Sequence, residues 1–495
     1  MESHRPRRLS DDLTASLVVF LVALPLSIGI AVASGAPIRA GLVAAIVGGI
    51  VVGLSGGAPL QVSGPAAGLT VMVYGYVAQF GFAATCAITV AAGALQVLAG
   101  SARVARAALA ISPAVLQAML AGIGVLITLG QLHVLFGGAP QSSAWANLSA
   151  LPQTLRATNS SALVVGATTL AILLGWNRFV ARRVPFLPGS LVAIVCGAAL
   201  GALLPTRPPC VEVPPNVLAN FEWPALGDAP LEGLAVAALA LAFVASCESL
   251  LCAVATDKLH AGPRARLDRE LMAQGLGNLL SGALGGLPIT GVIVRSSANI
   301  AAGGKTRLSA ILHGVWMAAF VLFFSGLLNS IPRAALAALL IHVGVNLVKV
   351  GEIRKVARFG EIAVYAATIA GVVFINLLWG IGIGVALAVT LLLRRLSRLD
   401  CDVEERGGEL HVTLRGALTF LTVPSITARL AGLPPRRTVR LRLEISELDH
   451  AAIEAIRGWR VGYETGGGKV EKESLDELWA AMSAARAPRS AIASS

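Results

Sequence analysis

The sequence predicts an α-helical polytopic membrane protein of about 14 segments, arranged as a 7+7 inverted repeat and followed by a small cytoplasmic α/β domain. Three observations predict it. Hydrophobic residues make up 56% of the 495 residues and charged residues 13%, with a mean hydropathy of +0.76, more apolar surface than a water-soluble core can cover. Apolar runs recur at the length of a bilayer crossing. One Gly-Gly-x-Pro motif appears twice, at corresponding places in two halves. The same composition excludes a disordered chain, a collagen and a disulfide scaffold. The six cysteines show no CxxC or other metal-ligand spacing, so no metal or cofactor is expected.

A hydrocarbon layer roughly 30 Å thick needs about 20 apolar residues per helix. Such runs fall near 13–33, 38–55, 81–100, 110–136, 161–176, 187–205 and 231–255, then near 269–285, 308–329, 331–349, 361–377 and 379–394. Two further stretches, 60–80 and 287–303, are interrupted by Gly, Pro, Ser or Arg. Each reads as a short half-helix preceded by extended chain.

Loop charge tests this count. The net charge of +12 comes from short basic clusters between apolar runs rather than from one face, which is a topology signal and not a nucleic-acid footprint. With the N-terminus inside (Arg5, Arg7, Arg8), the inner loops hold Arg103 and Arg106, the cluster at Arg178, Arg182 and Arg183, and later Lys258, Lys305, Lys349 and Arg394 to Arg398 with their neighbours. Outer loops hold isolated Arg39, Arg156, Arg207 and Arg333, beside Glu212, Glu222 and Asp228. Both termini are therefore expected in the cytoplasm, the chain lying in a plasma membrane.

The expected division is a transport domain over 1–397, with repeats at about 11–205 and 231–397, a cytoplasmic domain over 398–485, and a disordered tail over 486–495. Alternation at 410–414 and 439–445 predicts strands, and 423–433 and 474–485 predict helices.

Gly56-Gly57-Ala58-Pro59-Leu60 recurs as Gly285-Gly286-Leu287-Pro288-Ile289, 229 residues later, each copy opening one interrupted stretch. Two halves of odd segment number have opposite orientations in the bilayer, the plan of secondary transporters. Half-helices that start near the midplane aim N–H groups without partners, and positive dipole ends, at a common space. That space suits an anion.

The first copy continues through Ser63, Gly64, Pro65, Ala66 and Ala67, where Ser63 reads as the N-cap and Pro65 fits the first helical turn. The second continues through Val292, Ile293, Val294, Arg295 and Ser296, placing a guanidinium within the membrane, where a charge faces a cavity or a partner. The amides at Ala66, Ala67 and Ile293 to Arg295 are candidates to hold the anion. No acidic residue lies between Asp12 and Glu212, and Glu248 sits well inside its run. It is expected to meet something cationic: a coupling proton or Na⁺, or Arg295 itself. Cys252 follows one helical turn later on the same face. Because a thiol is a poor cation ligand, H⁺ is favoured over Na⁺.

Gly303-Gly304-Lys305-Thr306 ends like a phosphate-binding loop but lacks its first glycine and its βα setting, so ATP binding is rejected. No Ser/His/Asp set or HExxH suggests an enzyme.

With these residues in view, the sequence resembles the sulfate permease (SulP) family, which contains bacterial bicarbonate and sulfate transporters and animal anion exchangers. The likeness is carried by Leu60 to Ala67, by Glu248-Ser249-Leu250-Leu251, and by Arg295-Ser296 with Gly303 to Thr306. It implies a uracil-permease-like fold with a core domain moving against a gate domain, a cytoplasmic STAS domain, and a homodimer. It also implies a substrate held between Ser63 to Ala67 and Val292 to Arg295, with Glu248 as the acidic residue of the eighth segment. In the sodium-dependent bicarbonate branch that position resembles Asp with Thr one turn later, unlike Glu248 and Cys252 here. Asp449-His450-Ala451 lacks the phosphorylatable residue of anti-sigma-factor antagonists. A similar subgroup is linked to carbonic anhydrase, a possible partner.

The resulting expectation is secondary active transport of a small inorganic oxyanion, sulfate or bicarbonate, coupled to H⁺ by alternating access. Two alternatives stand beside it: a nucleobase permease of the same fold, and a non-transporting membrane sensor or scaffold acting through the STAS domain.

Overall fold

The computed structural model describes residues 9–108, 112–141, 143–181, 183–184, 187–212, 223–227, 230–397 and 399–472. Arg5, Arg7, Arg8, Arg182, Glu222, Asp228, Arg398, the expected helix at 474–485 and the tail at 486–495 lie outside them. The chain divides into two compact units, Met1–Val385 and Ala386–Ser495.

Each apolar run becomes a helix, and each interrupted stretch becomes a strand followed by a half-helix. The first half comprises α1 (Leu9–Ala33), α2 (Ile38–Val47, prolonged by a wide turn to Ser55), α3 (Thr70–Phe80), α4 (Phe82–Ser101), α5 (Pro113–Leu135), α6 (Ser160–Gly175) and α7 (Gly189–Leu203). The second comprises α8 (Leu231–Asp257), α9 (Leu267–Ala283), α10 (Ile293–Ala301), α11 (Leu308–Phe324), α12 (Arg333–Leu347), α13 (Ile362–Phe374) and α14 (Leu377–Leu396). Among the described residues eight helices are long and apolar enough to cross a membrane, which makes this a multi-pass membrane protein.

The helices pack as two groups, each drawing on both halves. In one, α1, α2 and α11 pack together, as do α4, α8 and α9; in the other, α5 packs on α12 and α13, and α6 on α7 and α12. Glycine permits the closest crossings: a methyl group on Gly275 would stand 2.7 Å from the Gly93 carbonyl, and one on Gly282 2.7 Å from that of Cys86. Between membrane helices, where water supplies no drive, such backbone approach is a main source of packing energy. The core around α1 gathers Phe20, Leu24, Ile28, Leu42, Met317 and Leu336.

Two short strands, β1 (Ser63–Pro65) and β2 (Ile289–Gly291), pair antiparallel, with Ser63 opposite Gly291, Gly64 opposite Thr290 and Pro65 opposite Ile289. Extended chain inside a bilayer protein must satisfy its backbone groups; here each half satisfies the other.

The second unit contains β3 (Leu399–Arg406), β4 (Glu409–Leu418), β5 (Thr438–Leu448) and β6 (Lys469–Lys472) in that order, the first pair antiparallel and the others parallel. Between them lie α15 (Val423–Ala431) and α16 (His450–Thr465). Val412, Leu414, Ile426, Leu441 and Ile453 form the core. The exposed face carries ion pairs from Arg415 to Asp402 and Glu444 and from Arg440 to Glu409 and Glu471. Sequence periodicity found β4, β5 and α15 and missed β3, β6 and α16.

Candidate functional site

The paired strands are the floor from which the site is built. Past β1 the chain stays extended at Ala66, makes a tight turn over Ala67–Leu69, and enters α3 at Thr70. This corrects the expectation for Ser63 and Pro65: neither lies at a helix start. Ser63 is a strand residue whose hydroxyl accepts from Gln274 Nε2 at 2.6 Å, and Pro65 is the last residue of β1. The second half-helix begins directly after β2, with Val292 as its extended N-cap residue.

Arg295 is 0% exposed. Its Nη2 donates to Ser27 Oγ of α1 at 3.0 Å and to the Pro65 carbonyl at 3.4 Å. Its Nε and Nη1 have no acceptor. No carboxylate lies within 4.0 Å of it among the described residues. A buried guanidinium without a carboxylate partner, held between Ser27 of α1 and the end of β1 at Pro65, is an electropositive centre. Gly64 makes room for it, because a methyl group there would collide with Nη1.

The other expected site residues divide by role. Ser296 is used structurally: its hydroxyl accepts from the Val62 amide at 3.0 Å and donates to the Val292 carbonyl at 2.8 Å, while Val292 N donates to the Val62 carbonyl at 2.9 Å. Ile293 and Val294 are exposed. Ala66 is buried and Ala67 is partly so.

Among the described residues Glu248 makes no ion pair with Arg295 or any other basic side chain. Its carboxylate interacts with the Thr290 side chain, Oε2 has no hydrogen-bond partner, and a methyl group on Gly68 would stand 2.6 Å from Oε1. On α8 the carboxylate faces the turn that opens α3. Cys252 Sγ lies 3.8 Å from both Ser296 Oγ and Thr256 Oγ1.

Sequence reasoning missed the groups that hold the crossovers. Glu270, Gln274 and Asn278 of α9 are fully buried and bind both strands or their approaches. Ser249, adjacent to Glu248, accepts from the Gly291 amide at 3.2 Å, and Asn299 donates to the Leu60 carbonyl at 3.2 Å. Asp12 in the first helix accepts from the Lys305 and Thr306 amides at 2.7 and 3.0 Å and from the Thr306 hydroxyl at 2.6 Å. The phosphate-loop-like sequence is thus a turn that binds this chain's own carboxylate.

Fold and crossover together define a multi-pass membrane transporter of the inverted-repeat class. The chain belongs to the sulfate permease family, which it matches over residues 9–370; that family consists of transporters, not enzymes. It is 29% identical over 402 residues to the putative sulfate transporter YvdB of Bacillus subtilis (strain 168), spanning 79% of this chain and 75% of the relative. The transmembrane domain of a cyanobacterium bicarbonate transporter, BicA, superposes with a TM-score of 0.66 at 25% identity, over 76% of this chain and 98% of that one. The murine Slc26a9 anion transporter in the inward-facing state superposes with a TM-score of 0.80 at 16% identity, over 97% and 88%, a likeness of fold.

Proposed function

We propose that this chain is a secondary active transporter of a small inorganic oxyanion, sulfate or bicarbonate, working by alternating access with H⁺ as the coupling ion. One observation carries the reading: Arg295 is a fully buried cation whose Nε and Nη1 lack acceptors, set where β1 and β2 open into α3 and α10. A tetrahedral or planar oxyanion supplies the acceptors and the charge that this guanidinium lacks. A neutral nucleobase would supply acceptors only, which disfavours the permease alternative.

In this reading the anion lies between Ser63 to Ala67 and Val292 to Ser296, held by Arg295 and the first amides of the half-helices. Glu248 carries the coupling proton. It is buried without a cationic partner, and the thiol of Cys252, engaged with Ser296 and Thr256, adds no strong ligand for Na⁺. The transporter sits as a homodimer in a bacterial inner membrane with both termini cytoplasmic. Residues 398–485 form a STAS-like domain, and carbonic anhydrase is a candidate partner.

The test is uptake of labelled sulfate and bicarbonate into proteoliposomes, each with and without Na⁺ and an imposed proton gradient. Saturable uptake of either anion driven by the proton gradient and indifferent to Na⁺ is the expected result. A strict Na⁺ requirement would remove the proton coupling, and no flux of either anion would favour the sensor alternative.

A further inference from the structure

One face of α9 carries a buried polar ladder. Glu270 Oε2 accepts from the amides of Gly57 and Ala58, each at 2.8 Å, and Oε1 accepts from Gln61 Nε2 and Gln274 Nε2, each at 2.8 Å. Gln274 Nε2 also reaches Ser63 Oγ at 2.6 Å. One turn on, Asn278 grips Ile289 at both backbone groups, accepting from its amide at 2.6 Å and donating to its carbonyl at 3.0 Å. Ser281 donates to the Leu287 carbonyl at 2.6 Å. The first two rungs therefore hold the approach to β1 and the last two hold β2.

The ladder belongs to one repeat only. At the repeat spacing of 229 residues, the α2 counterparts of Glu270, Gln274 and Asn278 are Gly41, Ala45 and Gly49, which carry no side-chain donor or acceptor. The crossover is thus fixed from the α9 side by hydrogen bonds, while on the α2 side Gly48 lets the backbone come close, a methyl group there standing 2.6 Å from the Ser63 carbonyl. All four groups around Glu270 are N–H donors, so this carboxylate serves purely as an acceptor, with each lone-pair direction in use.

We infer that Glu270 is a positioning residue for the anion site: acting through Gln61, Gln274 and Ser63, it sets where β1 stands against Arg295, without touching the transported ion. The inference rests on the function proposed above. Loosening the chain of bonds broadens the spacing between the Pro65 carbonyl, the first amides of α3 and the guanidinium. That weakens anion binding more than it slows the transport cycle.

The test is initial uptake of labelled sulfate and bicarbonate by the reconstituted full chain, over a range of anion concentrations, for wild type, Gln274→Met, Glu270→Gln and the double variant. Methionine keeps the volume of glutamine while removing both hydrogen bonds. Each single variant should raise KM about tenfold or more with Vmax within about threefold, and the double variant should be no worse than the poorer single one, because both act through one chain of bonds. If Glu270→Gln does not assemble, judged by size-exclusion chromatography, Gln274→Met alone decides. An unchanged KM with a falling Vmax or yield in Gln274→Met would overturn the inference, since that is the mark of helix packing alone. A wild-type chain that takes up neither anion overturns the proposed function, and this inference with it; the case is told apart because no KM exists to shift.

Discussion

Gly64 and Arg295 compete for one space: the guanidinium Nη1 fills the position that a side chain at Gly64 would occupy. The arginine cannot simply swing aside, because Nη2 is held by Ser27 and Pro65 and the whole side chain is buried. Gly64→Ala should therefore leave a folded protein whose KM for the anion rises about tenfold or more, equivalent to about 1.4 kcal/mol of binding. Concentration-dependent uptake measures it. Gly75, where an added methyl group meets nothing, is the control and should tolerate alanine.

Glu248 and Gly68 form a second such pair four residues along the same segment, a methyl group on Gly68 standing 2.6 and 2.9 Å from the two carboxylate oxygens. Glutamine at 248 preserves the shape and removes the titration. Glu248→Gln should keep anion exchange across the membrane while making net uptake indifferent to an imposed pH gradient. An unaltered response to that gradient would take the coupling role away from Glu248.

Asp12 anchors the turn between α10 and α11. Asp12→Ala leaves the amides of Lys305 and Thr306 without their acceptor in a partly buried turn, where water replaces part of the bond and the cost lies toward the lower end of the roughly 1–3 kcal/mol of a buried donor. The variant should melt several degrees lower, followed by intrinsic fluorescence, with KM changed little because Arg295 is held from elsewhere.

This turn also shows where the sequence was legible. Its Gly-Gly-Lys-Thr string could be rejected as a nucleotide loop from context, yet its true partner lies near the N-terminus, a distance no local pattern spans. The helices were legible because apolar runs of bilayer length have one stable solution in lipid. Arg295 was legible because a charge in such a run is costly. Ser63 was misread because Ser-Gly-Pro fits a helix start and an extended strand equally well, and only the pairing with Gly291, Thr290 and Ile289 decides between them. Glu270 was overlooked beside Arg269 at the edge of an inner basic loop; the spacing of Glu270, Gln274 and Asn278 was the available signal. In the second unit, β3 was passed over although Leu399, Cys401 and Val403 alternate with Asp400, Asp402 and Glu404; the run is short and acidic, and only Leu399 and Cys401 pack on the core.

On the exposed face of the second unit, Arg415 donates to Glu444 at 2.8 Å and to Asp402 at 3.0 Å. The guanidinium holds the Glu444 carboxyl below its ordinary range. Because the folded-state value is lowered, the pair adds stability above the ordinary carboxylate range and loses it as pH falls through the lowered value. Both groups are exposed and screened, so the effect is small. In Arg415→Ala, hydrogen exchange in β4 and β5 should be faster than in the wild type near neutral pH, and the ratio should approach one in acid or at high salt.

The most direct measurement is saturable uptake of labelled sulfate and bicarbonate by Arg295→Ala and Arg295→Lys in proteoliposomes, with size-exclusion chromatography confirming an intact assembly. Uptake abolished in Arg295→Ala and partly kept in Arg295→Lys, through retained charge, is the predicted result. Unchanged saturable uptake in Arg295→Ala would contradict the account, because the anion would then be held without the buried guanidinium.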